Sequence, residues 1–514
     1  MGAWSTGPFL ISAAPGAGKT RPALELARDL LRERAVQRVA VVCPTTPLTR
    51  QWASAAARLG VHLAPDAAAL RPPRDFQGVA VTYARVASVA ERWARQCSAG
   101  TLVIADEAHH LGEDLAWGAG FARAFGPAAR WLLLSGTPFR SDEVPIPGVR
   151  YEGGVAVPDV SYSYADAVRE GICRPVTFIP YDGVLQWRSG DDIVEASFDD
   201  ALVGAEAARR YRTAISVELP DGLPRILATA HERLEALRAG AHPDAGGLVI
   251  AADSTHARAI AAILRQVTGR APTVVLHTET RAAEKLAAFT RSTDRWLVAV
   301  NMVSEGVDIP RLRVGVYATA AKTPLIFRQI VGRFVRTIPG RSAEMSWLYL
   351  PGDPVLRGHA SDIERELRHH LRPPGEEDPY ALDEPPEARE TERSEEPAFV
   401  PVAADLSPQM ALFGAPAPAR AVVAAYAPPP PVVVPEQALE PEPEPELAAF
   451  ERRALLRDKR HRLVADLRRN DGRSHAEINR WLNRSCGIQR VDEASIDQLE
   501  RSIELLLGAL SGRR

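Results

Sequence analysis

The sequence predicts an α/β protein of two tandem parallel-sheet domains, followed by a disordered Pro/Glu-rich linker and a small α-helical C-terminal module. Three observations carry this reading. Short apolar runs alternate with helical stretches in two separate series; composition then shifts to proline, glutamate and alanine; and helical apolar spacing returns in the last part of the chain.

The first series runs from Phe9 to Val155: FLISA, a helical Pro22–Ala35, VAVVC, a helical Leu48–Leu59, VAVTY, TLVIA and WLLLSG. Continuous apolar runs separated by amphipathic helices are what parallel strands covered on both faces look like, so residues 1–158 are expected to form the first domain. The second series, LVIAA, TVVLH, WLVAV, VGVYA and SWLYL, defines residues 248–370 as a second domain of the same type. Residues 159–247 carry YADAVREGI, RPVTFIPY and a helical Ala201–Ala239, and are expected to be a hinge with an accessory helical insertion. Residues 371–449 contain APPPPVVVPE and PEPEPE, a composition that buries too little surface to offset chain entropy. Residues 450–514 show helical spacing through Leu463, Leu467, Ile478, Trp481 and Leu482, then Ile496, Leu499, Ile503 and Leu506.

Composition excludes several functions. The 514 residues exceed one core, and no apolar run suits a membrane. Met1–Leu10 lacks a basic start and long apolar core, so a cytoplasmic protein without membrane partners is expected. Cys43, Cys97, Cys173 and Cys486 form no Cys-x-x-Cys pair, which argues against zinc and disulfides. The net charge of −3 hides a division: Leu371–Phe450 holds 16 acidic against 4 basic residues, and Glu451–Arg514 holds 15 basic against 10 acidic. The four lysines are Lys19, Lys285, Lys322 and Lys459. None stands two residues after an acid, as a metal nuclease of the Asp…Glu-x-Lys type requires.

Lys19 lies in Ala13–Thr20, AAPGAGKT, which follows a strand and opens a helix. This context suits a phosphate-binding loop. Gly16 and Gly18 let backbone N–H groups approach phosphates, Lys19 reaches their outer oxygens and Thr20 can hold Mg²⁺. Ala13 stands where the usual first glycine would be. The strand TLVIA leads into Asp106-Glu107-Ala108-His109, putting two carboxylates at a strand's C-terminal end, where open α/β sheets bind ligands. Asp106 suits Mg²⁺ and Glu107 the activation of water. In Gln329–Arg336, Gln329, Arg333 and Arg336 have the spacing of one helix face, from which guanidinium groups could stabilise a transferring phosphoryl group.

The ordered set resembles the superfamily 2 DEAD/DEAH-box helicases, in particular the restriction-enzyme and excision-repair branch. It comprises the phosphate loop, Cys43–Trp52 (CPTTPLTRQW), Val81-Thr82-Tyr83, Asp106–His109 and Ser135–Pro138 (SGTP). It continues with Ile250–Asp253, His256-Ala257, Val303–Pro310 (VSEGVDIP) and Gln329–Arg336. The resemblance covers residues 9–350 and implies two tandem RecA-like domains, each supplying half of an ATP site. It implies that Pro44, Thr45 and Thr82 contact the nucleic-acid backbone and that Ser135 and Thr137 couple it to the ATP site. Gly306 and Asp308 would bridge nucleotide and strand, and Arg333 and Arg336 would be the γ-phosphate contact and arginine finger. Family members carry an adenine-reading glutamine before the loop; Met1–Ser12 offers no counterpart, so ATP preference rests on the resemblance.

The expected function is therefore an ATP- and Mg²⁺-dependent DNA helicase or double-stranded DNA translocase. Alternatives are a motor subunit of a restriction or anti-phage complex with a separate nuclease, and an RNA helicase. The C-terminal module is expected to be detachable, with His475, Asn479, Trp481, Asn483 and Arg484 as possible nucleic-acid contacts.

Overall fold

The computed structural model describes residues 4, 6–113, 115–136, 145–152, 155–189, 192–240, 242–276, 279, 281–300, 309–338, 341, 345–371, 399–408 and 448–511. It divides into two compact units, one of Met1–Ser12, Gly18–Ser161 and Val433–Arg514, the other of Ala13–Ala17 and Tyr162–Val432.

The first unit is built on β1 (Gly7–Ala13), β2 (Arg38–Cys43), β3 (Leu63–Pro65), β4 (Gly78–Thr82), β5 (Thr101–Asp106) and β6 (Arg130–Ser135). A hairpin of β7 (Arg150–Glu152) and β8 (Val155–Val157) stands apart, and β9 (Val160–Tyr162) closes the sheet order β3-β4-β2-β5-β6-β1-β9. The registers of β1–β6, β6–β5, β5–β2, β2–β4 and β4–β3 are all parallel. Every residue of β5 is buried, as a strand flanked by helices on both faces requires. Val42, Val81, Val103, Trp93, Phe121 and Phe125 fill the core. The segments of this unit expected to form the site lie at or follow the C-terminal ends of these strands.

The second unit has the sheet order β11-β10-β16-β15-β12-β14-β13, with β17 also paired to β10. Its strands are β10 (Val176–Ser189), β11 (Asp192–Ala196), β12 (Gly246–Ala251), β13 (Thr273–Val275), β14 (Trp296–Val300), β15 (Leu312–Ala318), β16 (Ser346–Pro351) and β17 (Phe399–Pro408). The strands from β10 through β16, β15, β12 and β14 to β13 pair in parallel, and β11 and β17 run antiparallel to β10. The two tandem domains are RecA-like.

Three expectations about domain organisation change. Residues 159–247 are more than a hinge and accessory insertion: β10 pairs with β16 from Val176↔Ser346 to Tyr181↔Pro351 and belongs to the second sheet. Within the stretch read as a linker, Phe399–Pro408 forms β17 against β10, burying Leu406 and Ala404; the rest of residues 372–447 lies outside the described residues.

The C-terminal module is part of the first unit rather than separate from it. Its helices are Ala449–Asp471, His475–Cys486 and Ile496–Leu510. Ser474 with Glu477 and Ser495 with Gln498 form capping boxes for the last two. The module docks where the Ile496 amide donates to Asp75 Oδ2 at 2.8 Å, Arg453 stacks 5.2 Å from the Phe76 ring centroid and Phe450 packs on the first core. No helix among the described residues is long and apolar enough to cross a membrane.

Candidate nucleotide and nucleic-acid site

β1 delivers the chain into the AAPGAGKT loop. Gly16 (φ 86°) and Gly18 (φ 79°) take the left-handed backbone that side chains disfavour, and a Cβ on Gly18 would meet nothing within 4 Å. The helix Thr20–Arg32 starts directly after Lys19, whose side chain makes no capping bond. Instead the Lys19 ammonium lies 3.1 Å from Glu107 Oε1, with both side chains largely buried. Ala13–Ala17 counts with the second unit, in which a Cβ on Gly16 would come 2.8 Å from Val335 Cγ2 and one on Gly332 would come 2.4 Å from Pro15 Cβ.

At the end of β5, Asp106 is buried and Glu107 turns the chain with φ 50°, a conformation that costs a residue with a side chain on the order of 1 to 3 kcal/mol. The Ala108 amide donates to the Leu134 carbonyl at 2.9 Å and holds this turn. Burial, and then the Glu107 charge, push the Asp106 carboxyl up to about 6, against the pull of Lys19 and the Trp52 indole. Burial acts the same way on Glu107, but Lys19 and then His109 outweigh it and hold that carboxyl below the usual range. The two acids are thus pushed in opposite directions, Asp106 up by burial and Glu107 down by Lys19 and His109.

Around this pair, His109 Nδ1 lies 3.2 Å from Ser135 Oγ and 3.6 Å from Glu107 Oε2, so the expected coupling residue Ser135 is linked to the acid through one imidazole. Pro44 is buried. Thr45 precedes the helix Thr46–Ala57 without a side-chain cap, and its buried hydroxyl has no hydrogen-bond partner among the described residues. The Thr82 hydroxyl accepts from the Arg85 amide at 3.3 Å and caps the helix Tyr83–Ser88. Two residues whose roles the sequence did not reveal also reach Asp106: Trp52 donates its indole N–H to Oδ2 at 2.8 Å, and Tyr83 donates its hydroxyl to the Asp106 carbonyl at 2.7 Å. The visible signal was their place inside the CPTTPLTRQW and Val81-Thr82-Tyr83 segments.

In the second unit Asp253 caps the helix Ser254–Thr268 by accepting from the Thr255 and His256 amides. His256 Nδ1 accepts from the Ala252 amide at 3.2 Å, its Nε2 lies 2.9 Å from the Ile215 carbonyl oxygen, and burial lowers its pKa. The expected single helix face through Gln329, Arg333 and Arg336 does not form. The helix Pro324–Val331 holds Gln329 and ends at Gly332. Phe334 and Val335 then turn into the core, and Arg336 forms an isolated bridge with Cys173. Gly306, Asp308 and Thr137 lie outside the described residues.

The residues present fit a magnesium nucleotide. The left-handed glycines and helix start supply a phosphate cradle, and the Thr20 hydroxyl and Asp106 carboxylate are the hard oxygen donors that Mg²⁺ prefers.

Residues 5–140 match the family described as "Type III restriction enzyme, res subunit", and residues 232–337 match the "Helicase conserved C-terminal domain". An uncharacterized protein of Mycobacterium tuberculosis is 44% identical over 417 residues, which is 79% of this chain and 69% of the relative. The chain belongs to the superfamily 2 helicases. Another uncharacterized relative, from Mycobacterium leprae, is 43% identical over 381 residues, 72% of this chain and 63% of that protein. Among solved structures, a fragment described as an HsdR subunit of a type I restriction enzyme from Vibrio vulnificus aligns at 17% identity and TM-score 0.47, covering 70% of this chain and 62% of that one. The type ISP restriction-modification enzyme LlaBIII bound to DNA aligns at 13% and 0.45, covering 71% and 28%. Dbp5 from S. cerevisiae, bound to RNA and ADP BeF3, aligns at 15% and 0.44, covering 70% and 83%. Of its helicase family, this chain carries both conserved domains, and such domains imply ATP hydrolysis.

Proposed function

We propose that this helicase is a cytoplasmic DNA motor, a helicase or double-stranded DNA translocase, powered by hydrolysis of magnesium ATP. The observation that carries the reading is the meeting of Lys19, at the start of the helix that follows β1, with Asp106 and Glu107 at the end of β5, with Lys19 and Glu107 3.1 Å apart. Lys19, with the backbone of Gly16 and Gly18, holds the phosphates; Thr20 and Asp106 hold Mg²⁺, which stabilises charge on the transferring phosphoryl group. Glu107 orients water and takes its proton. Arg333 and Arg336 stabilise the transition-state charge, Gln329 assists catalysis, and Gly306 and Asp308 contact nucleotide. Pro44, Thr45 and Thr82 hold the nucleic-acid backbone, and Ser135 and Thr137 pass its state to the acids. The domains proposed for this work are the two RecA-like ones.

The test is the steady-state ATPase rate with no polymer, duplex DNA, single-stranded DNA or RNA. Stimulation by duplex DNA that is lost in Lys19→Ala and Arg336→Ala supports the proposal, and stimulation by RNA alone rejects its DNA part. A second reading, a motor subunit working with a separate nuclease, is favoured by the match of residues 5–140 to a restriction-enzyme subunit family. Co-purification of a nuclease would establish it.

A further inference from the structure

Asp106 is gripped from two directions. Trp52, 2% exposed, fixes one carboxylate oxygen, Oδ2, at 2.8 Å and leaves Oδ1 outside that bond. Tyr83, 1% exposed, fixes the backbone carbonyl of the same residue at 2.7 Å, which is the peptide that launches Glu107 into its left-handed turn. The Tyr83 ring is held in place: it stacks on Trp117 with centroids 5.9 Å apart and meets Phe121 edge-on at 6.2 Å.

The origin of the two grips matters. Trp52 belongs to the helix Thr46–Ala57, whose start adjoins Pro44 and Thr45, and the six steps of helix from Thr46 to Trp52 rise about 9 Å along a rigid axis. Tyr83 is bonded directly to Thr82. Each segment read as touching nucleic acid therefore leads directly into a helix that carries one hydrogen bond to Asp106, the residue read as holding Mg²⁺. A hydrogen bond tolerates only a few tenths of an ångström of slack, so displacement of either segment is transmitted to Asp106.

We propose that Trp52 and Tyr83 are positioning residues that couple nucleic-acid binding to the metal side of the ATP site, Trp52 through the Asp106 carboxylate and Tyr83 through its carbonyl. This rests on the function proposed above. Nucleic acid that settles against Thr45 and Thr82 would set the orientation of Asp106. By reciprocity, a magnesium nucleotide would tighten nucleic-acid binding by the same factor.

The experiment uses the full chain and binding rather than turnover. Affinity for a fluorescent ADP analogue is measured with Mg²⁺ and with a chelator, in the wild type, Trp52→Phe and Tyr83→Phe. Loss of a hydrogen bond to a charged group should weaken binding about tenfold in Trp52→Phe when Mg²⁺ is present, with no change in chelator. Equal weakening in both conditions, or none in either, overturns the metal part of the proposal. Affinity for a labelled duplex DNA is then measured with and without a magnesium complex of a non-hydrolysable ATP analogue. The enhancement by nucleotide should fall toward one in both variants, and an enhancement equal to the wild type overturns the coupling. Should the wild type bind no nucleic acid at all, the function proposed above fails, while the magnesium comparison still decides the role of Trp52.

Discussion

The Lys19 ammonium and the Glu107 carboxylate stand 3.1 Å apart, so the cation read as a phosphate ligand and the anion read as the base for water are partners of each other. On the proposed function, phosphate oxygens arriving at Lys19 would compete with Glu107 for that cation and release the carboxylate toward water. The ion pair keeps both charges satisfied until then.

Glu107→Gln keeps the size of the side chain and removes its basicity. Turnover should drop roughly a hundred- to ten-thousandfold, the usual contribution of a positioned base, with ATP still bound. Rapid-quench turnover beside equilibrium nucleotide binding checks this, and parallel loss of binding would instead make Glu107 a packing residue.

Arg336→Ala and Arg333→Ala should each lower the maximal ATPase rate by on the order of a thousandfold if they act on the transferring phosphoryl group. The measure is the DNA-saturated rate at saturating ATP. Because Arg336 also bridges Cys173, thermal unfolding of each variant is followed alongside, and Arg336→Lys separates charge from shape.

The acid side of the pH profile follows from Asp106. Its pKa is raised to about 6 by burial and Glu107, whereas Glu107 is held low. On the proposed role only ionised Asp106 would hold Mg²⁺, so kcat/KM for magnesium ATP should be full above that value and be lost as pH falls through it. Metal competes with the proton, so raising Mg²⁺ should move the limb to lower pH. An acid limb that ignores Mg²⁺ would contradict the assignment.

Arg453 ties the C-terminal module together. Its guanidinium donates to the Ala494 and Asp492 carbonyls at 2.9 and 3.1 Å while stacking on Phe76. Arg453→Ala should destabilise the helices of residues 449–510 by roughly 2 to 4 kcal/mol, since bonds to a charged donor are lost and carbonyls are left unpaired. Hydrogen exchange of those helices in the full chain reads this directly; unchanged protection would remove the residue from the docking argument.

What the sequence made legible was local. The AAPGAGKT loop, Asp106 and Glu107 each follow an apolar strand within a few residues, and the structure places them at strand ends. What it hid depended on distant partners. The helix spacing of Gln329–Arg336 continues past Val331, but buried Phe334 and Val335 and the Cys173 bridge end the helix. Phe399–Pro408 reads as tether because of Pro401 and Pro408, yet an edge strand tolerates proline. The dock of Ile496 on Asp75 joins residues 421 positions apart, beyond any periodicity. Asn479 and Asn483, expected as nucleic-acid contacts, also accept from buried Arg460 through their side-chain oxygens, a partner that spacing did not reveal.

Strand β17 sets where the protein can be cut. Composition invites a shortened protein ending at Leu371, but that piece would strip β10 of its neighbour along Tyr181–Ser189 and uncover the hydrophobic surface sealed by Leu406 and Ala404. The vacated edge would offer unpaired backbone groups to other chains. At Gly183, where a Cβ would stand 1.8 Å from the Asp405 carbonyl oxygen, it would also keep a notch shaped for a strand no longer there. Such a piece would tend to precipitate: the second unit needs the chain through Pro408, just as the first needs the helices of residues 449–510.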